Sequence, residues 1–205
     1  MAKKRLREFG RRELSPDEFE SQLATLDAPE VPDMIAAILA ATLVEYRLEQ
    51  VLKRTFRRVD NDTWVRMTDN SGPLRDFHSK IVLGNASGSF DEDIRLNLNI
   101  VRDIRNAFAH ARAPLTFEHR EIGAELHKVK PVRRGKRVLQ SGSLAIGPNK
   151  RAYLQLCMSL LMYFQLKLRD SAQRKEKRVR DNIQALEFLE MLVARIDARK
   201  KATRS

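Results

Sequence analysis

The stretch Arg105-Asn106-Ala107-Phe108-Ala109-His110 is where this 205-residue chain holds side chains whose types and spacing can do chemistry. An imidazole takes up and gives back protons near neutral pH, the work of a general acid or base. A guanidinium is a planar fork of donors suited to phosphate oxygens and to charge developing on them. Asn106 and His110 are four residues apart and share a helix face, so the carboxamide can orient the ring. Arg105 lies about 140° from His110 on an ideal helix. The two converge only through a long arginine side chain, a loosened last turn or a second subunit. The same residues also fit an ordinary helix end, with Arg105 as a surface ion-pair residue and His110 as a cation favourable to the helix dipole.

The rest of the chain offers little competing chemistry. No G-x-x-x-x-G-K-[ST] loop and no G-x-G-x-x-G fingerprint occurs, which disfavours a nucleotide-hydrolysing engine. The four histidines, His78, His110, His119 and His127, lack H-E-x-x-H spacing, so no metal site is expected. A single cysteine excludes an intramolecular disulfide framework and points to a reducing, cytoplasmic setting. Cys157 lies among Leu156, Met158 and Leu160 and reads as a small buried hydrophobe. No short helix pair with a central glycine turn announces a helix-turn-helix.

Positioning the Arg105–His110 stretch is the task of an amphipathic helix. It begins around Asp91-Glu92-Asp93, acids suited to an N-terminal dipole, and its stripe reads Ile94, Leu98, Val101, Ile104 and Phe108. Pro114 ends it soon after His110. Upstream, Ser15-Pro16-Asp17-Glu18 is a capping box with proline at the first helical position. A second helix runs from Asp33 to near Arg58, where Asp60-Asn61-Asp62 supplies turn chemistry. Asn70-Ser71-Gly72-Pro73 marks another turn, followed by a short helix from Leu74 to Leu83 that Gly84 to Gly88 breaks. A small β-hairpin is predicted near 138–146, around Ser141-Gly142. Two further helices are predicted, about Lys150 to Asp170 and Asp181 to Arg199. The most apolar window, Tyr153 to Leu168, is interrupted by Gln155, Gln165 and Lys167 and is too short to span a bilayer.

The net charge of +12 is unevenly placed. Residues 1–12 carry a net +5, whereas residues 13–126, with 13 basic and 20 acidic side chains, carry −7. The internal run Lys128, Lys130, Arg133, Arg134, Lys136 and Arg137 contains no acid between 127 and 137. Such a run attracts polyanions, chiefly nucleic acid, and names neither sequence nor groove.

The stretch R-N-A-F-A-H resembles the Arg-Asn-X3-His signature of the HEPN superfamily of helical domains, with Arg105, Asn106 and His110 matching position by position. A second resemblance spans roughly residues 33–125. Gly72-Pro73-Leu74-Arg75-Asp76-Phe77, Lys80-Ile81, Leu83-Gly84 and the helix from Leu98 to His110 are similar to the bacterial mannitol operon repressor family. Members of that family end this helix in an asparagine–histidine pair without the full arginine signature. The first resemblance implies an all-helical bundle, commonly a two-fold dimer, and metal-independent endoribonuclease activity of toxin, defence or RNA-processing type. The second implies a non-catalytic transcriptional regulator acting through protein or DNA.

The sequence therefore predicts an all-α fold, a single helical bundle of about five to seven helices with a small hairpin. The expected organisation is a basic N-terminal arm at 1–12, a helical domain at 13–199 and a basic tail at 200–205. Arg105, Asn106 and His110 are the candidate catalytic set. Lys128, Lys130, Arg133, Arg134, Lys136 and Arg137 are the candidate nucleic-acid contacts. RNA or another polyanion, a second copy of the chain and an antitoxin or regulatory protein are the expected partners. No membrane, metal or cofactor is called for.

Overall fold

The computed structural model describes residues 15–56, 58–140 and 148–170, with the isolated positions 173 and 180. The chain divides into two compact units, Met1–Gln165 and Leu166–Ser205. Of the second, residues 166–170, 173 and 180 are described, all of them helical. The basic arm, the helix expected at 181–199 and the basic tail all lie outside the described residues, apart from helical position 180 just before that helix.

The first unit is an all-α bundle carrying one small antiparallel hairpin. Its described residues form α1 (Pro16–Leu26), α2 (Asp33–Thr55), α3 (Asn61–Thr68), α4 (Phe77–Ala86), α5 (Glu92–His110), α6 (Arg120–Leu126), β1 (Val132–Arg134), β2 (Arg137–Gln140) and a helix over 149–165, α7. Short side chains at two acidic caps start the helices that matter most. Asp76 accepts from the Ser79 amide to open α4, and Asp91 from the Ile94 amide to open α5. At α1 the capping box closes as the sequence predicts, with Ser15 and Glu18 each holding the other's amide.

Three local expectations are corrected. Asp60 does not lead a turn. It caps α3 by accepting from the Thr63 amide, because an aspartate that favours turns is also a strong N-cap. The short helix is displaced to Phe77–Ala86, and Gly84 lies inside it; the chain leaves the helix at Gly88, where φ is +65°. The hairpin lies at 132–140 instead of 138–146, so the basic run itself forms most of it. Arg134 pairs with Arg137 around Gly135-Lys136. Gly135, with φ +56°, takes the first central position that such two-residue turns reserve for glycine.

Packing centres on α5. Its stripe is buried as predicted, from Ile94 through Leu98, Val101 and Ile104 to Phe108. Facing it, Ala36, Ala37, Ala40 and Ala41 on α2 are wholly buried, and their small side chains let the two helices approach closely. Tyr153 of α7 donates its hydroxyl proton to the Ala37 carbonyl at 2.9 Å, with the Val101 carbonyl at 3.5 Å. Phe108, Phe117 and Tyr153 pack in series as tilted ring pairs with centroid separations of 4.8 and 5.3 Å, supporting the last turns of α5. On the other flank, α4 is tied to α2 by Lys80, buried between Glu45 at 2.8 Å and Glu49 at 2.9 Å.

The Gly72-Pro73-Leu74 segment has a structural duty. A Cβ at position 72 would lie 2.3 Å from the carbonyl oxygens of both Arg66 and Met67. That close approach lets the Leu74 amide donate to the Met67 carbonyl and buries Leu74 ahead of the α4 cap.

Candidate functional site

The last two turns of α5 carry the candidate set on a helix held along its length by buried side chains. Arg105 and Asn106 are half-buried, while His110 is exposed beside the C-cap residue Ala111. The Arg105 Nη1 donates to Asn106 Oδ1 at 2.9 Å. Asn106 thus positions the guanidinium, and no hydrogen bond joins it to the imidazole ring that the i, i+4 spacing suggested. Among the described residues His110 makes no hydrogen bond and no ion pair. Within one chain the structure thus joins Arg105 to Asn106 and leaves His110 separate on the neighbouring part of the helix surface.

The electrostatic surroundings of Arg105 include a buried phenol. Burial pushes the Tyr153 hydroxyl well above its ordinary value, neighbouring Cys157 adds to this, and the Arg105 charge opposes it. Cys157 is fully buried, and burial likewise pushes its thiol far up. A thiol so displaced is not a nucleophile at neutral pH, in keeping with the small-hydrophobe reading.

A group that sequence reasoning missed lies one turn up the same helix. Arg102 donates through Nε and Nη2 to Asp103 Oδ1 and through Nη1 to Nδ1 of His78, at the second position of α4. His78 and Arg102 are 24 positions apart, a separation that helix periodicity cannot bridge. The other histidines have local duties. Nδ1 of His119 accepts from the Glu121 amide to cap α6, and His127 closes the same helix.

The cationic run sits elsewhere. The Asn97 side chain holds the segment by a pair of bonds to the Lys130 backbone, 2.8 Å from its amide and 2.9 Å to its carbonyl. Asn97 and Asn106 are nine residues apart on α5, which places them about 180° apart around the helix. Lys128 is paired with Glu125 at 2.6 Å, and the Arg134 guanidinium lies 5.8 Å from the Tyr163 ring centre. Lys130, Arg133, Lys136 and Arg137 are exposed. The residue that anchors the run thus lies opposite Asn106 but only about 80° around the helix from Arg105.

A cavity of about 480 Å³ opens between α5 and α6, lined by Asp103, Ala107, Arg112, Pro114, His119 and Glu125 among others. It contains none of the three candidate catalytic residues. Among the described residues no group of three His, Cys, Asp or Glu side chains is placed to hold a metal ion. Nor, among them, is any helix long and apolar enough to cross a membrane. No protein-family model matches the chain, and no curated protein and no solved structure matches it.

Proposed function

We propose that this chain is a HEPN-like helical RNA-binding protein and a metal-independent endoribonuclease of toxin, defence or RNA-processing type. The observation that carries this reading is the Arg105–Asn106 hydrogen bond, which presets a guanidinium beside the face that bears His110. The reaction is transesterification within RNA. The ribose 2′-oxygen attacks the adjacent phosphorus, the bond to the 5′-oxygen breaks, and a 2′,3′-cyclic phosphate and a 5′-hydroxyl result. His110 removes the 2′-hydroxyl proton or delivers one to the leaving 5′-oxygen. Arg105 binds the scissile phosphate and stabilises charge growing on its oxygens. The hairpin cations add a second, salt-sensitive hold on the backbone.

A homodimer supports this chemistry, because a partner's motif supplies what the 140° separation withholds. Met34, Ile35 and Leu39 on α2 are 51%, 43% and 48% exposed, an apolar group suited to a second copy of the chain or to an antitoxin or regulatory protein. The proposed setting is the cytoplasm, where the single thiol stays reduced.

The alternative is a mannitol operon repressor-like regulator that binds protein or DNA without catalysis. The absence of a hydrogen bond between Arg105 and His110 among the described residues favours it. Cleavage of diverse RNAs in excess chelator, by the native chain and by His110→Ala with folding checked by circular dichroism, separates the two. Cleavage lost only in the variant supports the nuclease. RNA left intact by the native chain at high concentration favours the regulator.

A further inference from the structure

His78 and Arg102 form a second imidazole–guanidinium pair that the proposed reaction does not use. Arginine carries donors only, so His78 Nδ1 must accept in this contact. The ring proton of the neutral imidazole then resides on Nε2. Arg102 is itself steered by Asp103, which takes the Nε and Nη2 donors. The relay Asp103–Arg102–His78 therefore fixes both the tautomer and the ring of an exposed histidine. The neighbouring Asp76 accepts from the Ser79 amide and hydroxyl and forms no hydrogen bond with His78.

Position decides what this second pair can reach. Asn99, Arg102, Asn106 and His110 follow one another at intervals of 3, 4 and 4 residues and so form one row along α5. The row spans 11 residues, about 16 Å at the helical rise. Arg102 and His110 are 8 residues apart, about 12 Å along the axis. One phosphate cannot touch both. A strand laid along the row meets His110 at the phosphate being cleaved and the His78–Arg102 pair at a neighbouring one.

We propose that His78 is a substrate-binding residue: its Nε2–H donates to a phosphate oxygen of a nucleotide flanking the cleaved one, on a single RNA strand running along α5 from His110 towards Asn99. The choice of RNA rests on the nuclease reading above. A single row on one helix contacts one strand, and 2′-hydroxyl attack in line with the leaving oxygen needs a backbone free to rotate, which a stacked duplex does not offer.

The test exploits two isosteres. Asparagine at position 78 keeps an acceptor near Nδ1 and loses the outward donor; glutamine keeps a donor near Nε2. A labelled single-stranded RNA oligomer is titrated by fluorescence anisotropy into full-length His110→Ala, and into the same protein carrying His78→Asn or His78→Gln, with circular dichroism confirming the fold. The expected result is about tenfold weaker binding with His78→Asn, the loss of one hydrogen bond to a charged group, and partial recovery with His78→Gln. In the otherwise native chain, His78→Asn raises KM more than it lowers kcat. Rescue by asparagine and not glutamine would show that His78 only props Arg102, and would overturn the proposal. So would equal affinity for single strand and duplex. If the native chain cleaves RNA and His78→Asn binds as tightly as its parent, His78 loses its role while the nuclease reading stands. If the native chain neither binds nor cleaves RNA, both fall.

Discussion

The two cationic regions of this protein differ in how they are held. At the end of α5 the guanidiniums are engaged: Arg105 by Asn106, and Arg102 by both Asp103 and His78. The Phe108–Phe117–Tyr153 series supports the same turns. In the hairpin, the backbone is anchored at Lys130 by Asn97, yet Lys130, Arg133, Lys136 and Arg137 extend as exposed charges. A preset donor can stabilise charge at the moment it develops, because it needs no reorganisation. A loosely held cation contributes screened, sequence-independent attraction. The first arrangement suits chemistry, and the second suits gripping.

The sharpest way to break this contrast is at His110. Its replacement by alanine is expected to lower RNA cleavage by about 10²–10⁴-fold, the usual worth of a positioned acid or base, with RNA binding changed far less. A comparable loss of both would merge the two regions into one function.

Next in size is Lys80→Met, which removes the cation between Glu45 and Glu49. It should cost about 3 kcal/mol of stability, since a buried ion pair is broken from one side. Amide exchange should then show α4, which carries His78, losing protection ahead of the hairpin. The same ion pair gives a pH signature. Burial by itself would lower the Lys80 value, but Glu45 and Glu49 outweigh it and raise it. Its stabilisation is therefore complete below the unfolded lysine value of about 10.4 and is lost as pH rises through the higher folded value. Thermal melts from pH 9 upward check this, with Lys80→Met as the flat reference.

A smaller effect is expected where the basic run is anchored. Asn97→Ala leaves the Lys130 amide and carbonyl without their partner and should cost about 1–2 kcal/mol. Exchange protection should fall at 129–134 and stay unchanged in the last turns of α5. The smallest effect belongs to single hairpin charges. Arg133→Ala or Lys136→Ala should reduce the logarithmic salt dependence of single-strand RNA binding by about 0.7 each, without altering cleavage at saturating RNA. An unchanged slope would remove the hairpin from the RNA path.

Much of the fold was legible because it is written in local rules. The α1 capping box, the acids opening α5 and the stripe from Ile94 to Phe108 each need only residues within a few turns. The errors were local conflicts that packing resolved. Asp60 suits a turn and a cap equally, and α3 forms because Trp64 buries itself there. The β1–β2 hairpin was displaced in the reading because its strands are built largely of arginine and valine, a pattern that looks like charge before it looks like alternation. The relay from Asp103 to His78 had no sequence signal, as it joins two helices through side-chain tips.

By itself, then, the sequence determined the α1 cap, α5 and its buried stripe, the acidic body with its basic run, and the Arg105–Asn106–His110 spacing, all properties of neighbours along the chain. The tertiary structure alone decided that Asn106 serves Arg105, that His78 joins Arg102, and that Asn97 of α5 anchors the basic run. Those outcomes depend on which helix faces meet, and helix contacts are set by the packing of side chains far apart in the chain.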